Sequence, residues 1–163
     1  KSGKALLQPP GTCMSQRIEP FSRDGFQVFR EIPTRWMDVD AYGHVNNVEY
    51  LSYFDTAVNG WLISRGTLDP RWSEQVFLVV ETQCSYFEEL TFPDVVHAGL
   101  RVSRLCGSSV TYEIGLFRND GQSACAQGRF VHVQVDAKTR RPVTITGERR
   151  ALLESISVQK EPR

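Results

Sequence analysis

One stretch of helical spacing sets the terms for the whole chain. Val48, Leu51, Phe54, Val58, Trp61 and Leu62 recur at the three-and-four spacing of a helix that buries one broad stripe. Asn46 is a good N-cap, and Glu49 sits where its carboxylate can reach back to the cap. Gly66, after Arg65, supplies the stop, so about nineteen residues span roughly 28 Å. Gly60 inside the helix weakens it slightly and admits a close neighbour.

Everything from Ser73 to about Arg141 reads as strand: Val76 to Phe87, Val95 to Leu105, Val110 to Arg118, and Ser123 to Asp136. The separators Phe92-Pro93-Asp94, Gly107-Ser108 and Asn119-Asp120-Gly121 are turn chemistry. An earlier β-favouring run, Gln27 to Ile32, ends at Pro33, which marks an edge or a bend. Thr146 with Glu148 to Glu154 predicts a short closing helix, with Leu152, Leu153 and Ile156 inward. One strand, one long helix and four strands on short turns predict an α+β fold with an antiparallel sheet, not βαβ units. Such a sheet has edges to hide, and a homodimer is the expected remedy.

A length of 163 residues suits one domain with a real core. We expect a flexible segment over residues 1–24, in which Met14 marks a possible natural start, then one domain over 25–158 and a tail over 159–163. Nineteen basic residues balance nineteen acidic ones, so no global bias toward nucleic acid or anionic membrane exists. Cys13, Cys84, Cys106 and Cys125 show neither C-x-x-C pairing nor metal-ligand spacing and read as free thiols in a reducing compartment. No stretch approaches the roughly 18 apolar residues of a membrane span, and the start lacks a signal-peptide core. A soluble, cytoplasmic protein is expected.

The distinctive segment runs from Trp36 to Asn47 and delivers Asp38, Asp40 and His44 to the start of the helix. Unpaired backbone N–H groups there, from Asn47 or Val48, can stabilise an oxyanion. A carboxylate beside them can attack an acyl carbon or take a proton from water, and Asp38 and Asp40 are both candidates. The bland alternative is a turn and cap only. Asp38 and Asp40 also mimic the opening of an EF-hand, but its twelfth position, Glu49, falls inside the predicted helix and no helix precedes the loop; no metal is expected.

Other features carry weaker signals. Trp36, Tyr50, Tyr53, Phe54 and Trp61 supply either an acyl pocket or plain core. Gly107, Ser108 and Ser109 form a hairpin turn whose N–H groups can bind an extended amide chain. Arg104, Lys138, Arg140 and Arg141 can meet phosphates or form a solvated face.

The string DVDAYGHVNNVEYLSYFDTA, from Asp38 to Ala57, resembles the helix-entry motif of hotdog-fold thioesterases, the 4-hydroxybenzoyl-CoA thioesterase family and its bacterial acyl-CoA relatives. The shared pattern is D-x-D-x-x-G-H-V-N-N-x-x-Y-x-x-Y, and a looser likeness runs from about Phe26 to Asp136. The resemblance implies a long central helix wrapped by a curved antiparallel sheet of about five strands, in dimers with sites at the interface, often assembled into tetramers. It implies hydrolysis of an acyl-CoA thioester, with no cofactor beyond the CoA of the substrate. By motif position, it assigns catalysis to Asp40 and carbonyl polarisation to the N–H of Asn47. Tyr50 and Phe54 are then substrate-binding residues, the thiol arm passes Gly107, Ser108 and Ser109, and Arg104 lies by the phosphates.

The arginine–arginine–lysine cluster of the 4-hydroxybenzoyl enzyme is absent from Arg104 to Ser108, which leaves an acyl-carrier-protein substrate as an alternative. The H-V-N-N string also resembles plant acyl-carrier-protein thioesterases, which implies a second arrangement with His44 as base and Asp40 as its orienter; Tyr42 replaces their asparagine. A hotdog hydratase or dehydratase and a non-catalytic acyl-CoA binder complete the alternatives.

Overall fold

Strand-forming runs and turn residues divide the chain much as the spacing predicts. The computed structural model describes residues 17–158, so Cys13, Met14 and the tail over 159–163 lie outside the described residues. The elements are β1 (Val28–Pro33), α1 (Asn47–Ser64), β2 (Gln75–Tyr86), β3 (Val95–Leu105), β4 (Ser109–Arg118), β5 (Ala126–Asp136) and α2 (Gly147–Ser155). The strands form one antiparallel sheet in the order β1-β3-β4-β5-β2. Register shifts at Val79/Glu81 and Val102/Arg104 insert an extra residue into β2 and β3, which bends a sheet and increases its twist.

Alternation along the inner strands decides where α1 lies. Val96, Ala98, Leu100 and Val102 of β3 and Val110, Tyr112, Ile114 and Leu116 of β4 are all buried in one core with the helix. The helix contributes Tyr50, Tyr53, Phe54, Ala57, Val58, Trp61 and Leu62. At its first turns the expected stripe is corrected: Val48 is 59% and Leu51 40% exposed, whereas Tyr50 and Tyr53 are buried. Their hydroxyls explain the difference, because the Tyr53 O–H donates to Asp38 and the Tyr50 oxygen accepts the Leu90 N–H. A tyrosine whose polar tip has a partner buries as well as an aliphatic residue.

Gly128 on β5 is crowded by both α1 and β2. A Cβ there would lie 1.9 Å from the Gln83 carbonyl oxygen and 2.7 Å from the Phe54 ring, so only glycine lets both approach. β2 and β1 remain the sheet edges, and β2 leaves Leu78, Val79 and Val80 exposed. In α2, Leu153 is fully buried while Leu152 and Ile156 pack against the core, as the spacing predicts.

The expected boundary between residues 24 and 25 is crossed by hydrogen bonds. The Phe21 N–H donates to Gln127 Oε1, the Ala124 N–H to the Phe21 carbonyl, and the Arg23 N–H to the Gln122 carbonyl. Phe26 then fills the space above Gly99 and Gly115 on the sheet face away from α1, joined edge-to-face by Phe21, Phe29 and Phe117. The guanidinium of Arg23 lies over Phe29 and Phe117, and that of Arg101 over Phe21 and Phe26.

His132 is a buried group that couples stability to acid. It is 1% exposed, stacks on Phe77 with 5.2 Å between centroids, and its Nδ1 has no hydrogen-bond partner among the described residues. Burial pushes its pKa down from 6.5 to about 4.

Two outcomes follow from this packing. Gly128→Ala should lower stability by roughly 2–4 kcal/mol and Tm by about 5–10 °C, read by thermal unfolding; an unchanged Tm would refute the close approach. The unfolded state binds the His132 proton below pH 6.5 and the folded state only near pH 4, so stability is intact above that window and falls through it. The loss should be on the order of 3 kcal/mol at most. Denaturant titrations from pH 7 to 4 should show it, and His132→Leu should flatten that limb.

Candidate active site

The Trp36–Asn47 loop is built as a narrow excursion with paired legs. The Thr34 N–H and hydroxyl both reach the Asp94 carbonyl, at 2.9 and 2.8 Å, fixing the exit from β1. Val39 and Val45 form an antiparallel bridge, and the Asn46 N–H donates to the Asp38 carbonyl at 2.8 Å. The tip closes through Asp40 N–H to His44 carbonyl at 2.9 Å and Gly43 N–H to Asp40 carbonyl at 3.1 Å. Gly43 has φ +86° with open space around it, so the turn requires glycine for its backbone rather than for room.

The two aspartates have opposite surroundings. The Asp38 side chain is fully buried and takes four donors: Arg35 N–H at 2.8 Å, Arg35 Nε at 2.9 Å, Arg35 Nη2 at 2.8 Å and the Tyr53 hydroxyl at 2.9 Å. Burial alone would raise its pKa, but the Arg35 and Tyr53 hydrogen bonds outweigh it and hold the carboxyl below its usual value. Asp40 is half-buried; its Oδ1 accepts the Tyr42 N–H at 2.8 Å, and Oδ2 accepts nothing among the described residues.

The helix opens beside this loop. Asn46 Oδ1 accepts the Val48 N–H at 3.3 Å, and the Asn46 carbonyl accepts the Glu49 N–H at 2.9 Å. Among the described residues the Asn47 N–H has no acceptor, so one donor remains at the positive end of an 18-residue helix. The Glu49 carboxylate does not reach back to the cap. The Asn46 N–H is already taken by Asp38, and Glu49 lies 3.6 Å from Arg35 instead.

A second segment completes the site. After β2 the chain runs along the loop: Val45 N–H donates to the Leu90 carbonyl at 2.8 Å, and the Thr91 hydroxyl to the Gly43 carbonyl at 3.1 Å. The Tyr86 hydroxyl donates to the Asn47 carbonyl at 3.1 Å, and its ring meets Tyr50 at 5.0 Å. Burial pushes both phenols up to about 12. His44 Nε2 lies 2.7 Å from Glu89 Oε2, so the imidazole is paired with Glu89, while its tie to Asp40 is through backbone. Sequence reasoning missed Glu89 and Tyr86; the available signal was the pair Glu88-Glu89 between a predicted strand and the Phe92-Pro93-Asp94 turn.

The remaining expected residues lie elsewhere in the chain. Phe54 is fully buried against Gly128 and Tyr50 is 4% exposed, both within the core. Arg104, Gly107, Ser108 and Ser109 sit where β3 turns into β4. β3 starts at the loop end of the sheet, so this turn is roughly 33 Å from it at 3.3 Å per residue. There the Gly107 and Ser108 carbonyls accept the Ile145 and Gln134 N–H groups, both at 2.7 Å. Cys84, Cys106 and Cys125 are free thiols, and no group of three or more metal-ligating side chains occurs among the described residues. No helix among the described residues is long and apolar enough to cross a membrane.

Comparison with known proteins sets this geometry in a family. Among solved structures, protein PA5185 of Pseudomonas aeruginosa PAO1 is 47% identical, with a TM-score of 0.84 over 88% of this chain and 100% of its own. PA2801 of the same organism, a candidate thioesterase, is 28% identical with a TM-score of 0.72, covering 77% of this chain and 96% of its own. The long-chain acyl-CoA thioesterase FadM of Escherichia coli K12 is 25% identical over 128 residues, 77% of this chain and 96% of FadM. The five-stranded antiparallel sheet around one long helix is the hotdog fold of these thioesterase neighbours. The family model of the thioesterase-like superfamily matches residues 34–153, and the chain belongs to that superfamily.

Proposed function

We propose that this protein hydrolyses acyl-CoA to the free acid and CoA thiol, with the Asp40 carboxylate as nucleophile or general base. The observation that carries this is the contrast between the aspartates. Asp38 is consumed by four donors, whereas Asp40 keeps one oxygen uncommitted at a tip beside the opening of α1. An acyl carbonyl with its oxygen on the Asn47 N–H would have its developing oxyanion stabilised by that donor and the helix dipole. The same pose exposes the carbon to Asp40 or to a water deprotonated by it. A thiolate leaves readily, so no strong general acid is needed. Likeness to FadM favours CoA over an acyl-carrier protein as the carrier. CoA enters with the substrate, and no other cofactor is part of the proposal.

The acting unit in this proposal is a cytoplasmic homodimer, with a tetramer as its further assembly. Support comes from the free edge of β2, twelve residues long, with Leu78, Val79 and Val80 exposed along it. A second subunit would also supply what one chain keeps apart. Its Arg104 and Gly107-Ser108-Ser109 turn would guide the thiol arm toward Asp40 of the first.

Replacing Asp40 by Asn should cut thiol release from palmitoyl-CoA or benzoyl-CoA at least about 100-fold and leave Tm within about 2 °C. Retained activity would refute its role, and calorimetric binding by the native chain without thiol release would favour a non-catalytic binder. Asp38→Asn should instead lower Tm by roughly 5 °C or more, since it leaves Arg35 and Tyr53 donors unmatched. Val79→Lys with Val80→Lys should give monomers in light scattering and at least about tenfold lower activity; a fully active monomer would refute the dimeric site.

A further inference from the structure

Glu89 belongs to no motif, yet its position is fixed from both sides. On one side Leu90 is tied to Val45 and to Tyr50, and Thr91 to Gly43; on the other, Arg118 Nη1 donates to the Glu89 carbonyl at 3.2 Å. These ties deliver its carboxylate to His44 Nε2 at 2.7 Å. The two side chains are 39% and 41% exposed, a setting in which an ion pair contributes little to stability. The fold therefore gains little from a contact that several hydrogen bonds serve to align.

We propose that Glu89 is the positioning residue of His44 in the hydrolysis. The carboxylate holds the proton on Nε2, so the neutral ring presents Nδ1 as the acceptor, and Nδ1 has no protein partner among the described residues. Asp40 and His44 close the same turn, the Asp40 N–H donating to the His44 carbonyl at 2.9 Å, so the two residues are tied through backbone. As water adds to the acyl carbon, its O–H bond breaks, its oxygen bonds the carbon, and the proton passes by way of the Asp40 carboxylate to Nδ1. The imidazolium is stabilised by Glu89. Collapse of the tetrahedral intermediate breaks the C–S bond, and the proton on Nδ1 passes to the departing thiolate, so water and thioester give acid and thiol. Where an orienting carboxylate for this histidine is sought, Glu89 takes the place that the motif alone suggests for Asp40.

The proposal rests on the thioester-hydrolysis reading, and its test separates the two. Glu89→Gln, Glu89→Asp, His44→Gln and the double variant E89Q/H44Q are assayed for thiol release from palmitoyl-CoA and benzoyl-CoA, beside Asp40→Asn. Glu89→Gln should lower kcat about 10- to 100-fold with KM within twofold, and Glu89→Asp should recover part of it. The double variant should be no slower than His44→Gln, because both changes disable one device. An unchanged kcat in Glu89→Gln, or losses that multiply in the double variant, overturns the proposal. If that happens while Asp40→Asn is inactive, the hydrolysis reading stands without it; an active Asp40→Asn overturns the reading beneath it.

Discussion

A single buried carboxylate organises the functional end of this molecule. Asp38 binds the backbone and guanidinium of Arg35 before it and the hydroxyl of Tyr53, in the second turn of α1, while its own carbonyl takes the Asn46 N–H. Strand exit, loop and helix entry are thereby clamped to one residue. An ionised group without solvent contact is tolerable only when every oxygen is matched, as here. With that clamp in place, the tip can carry an aspartate with one carboxylate oxygen that accepts nothing among the described residues.

The architecture was legible because it depends on period and punctuation. Strand boundaries from Val95 to Leu105 and at Arg118 and Asp136 follow directly from alternation and turn residues, and α2 from its three inward apolar residues. The first turns of α1 were not, because hydropathy ranks tyrosine below leucine and valine. What buries Tyr50 and Tyr53 is the partner waiting for each hydroxyl, and those partners, Leu90 and Asp38, come from other segments. The same limit explains the capping glutamate. Glu49 has the right spacing, but a long-range bond from Asn46 had already removed the group it would serve.

The candidate site was legible in part for a related reason. Asp40, His44 and Asn47 are neighbours in sequence, so a motif can hold them together. Glu89 is more than forty residues away and reaches His44 only because backbone bonds at Val45 and Gly43 lay one segment along another. Contacts of that kind leave no periodic trace. The Gly107 turn is legible from its composition alone, and N–H groups distant in sequence hold its carbonyls.

The aromatic strap formed by Phe21 and Phe26 carries a consequence for larger assemblies. It covers β3 and β4 on the face away from α1, where Gly99 and Gly115 leave the sheet without side chains, and it places Arg23 and Arg101 over its own rings. A neighbouring sheet laid against that face would meet the strap and its guanidinium groups, not bare strand. Back-to-back stacking would then be read through residues 21–26, an outer layer of aromatic rings and cations rather than of strand.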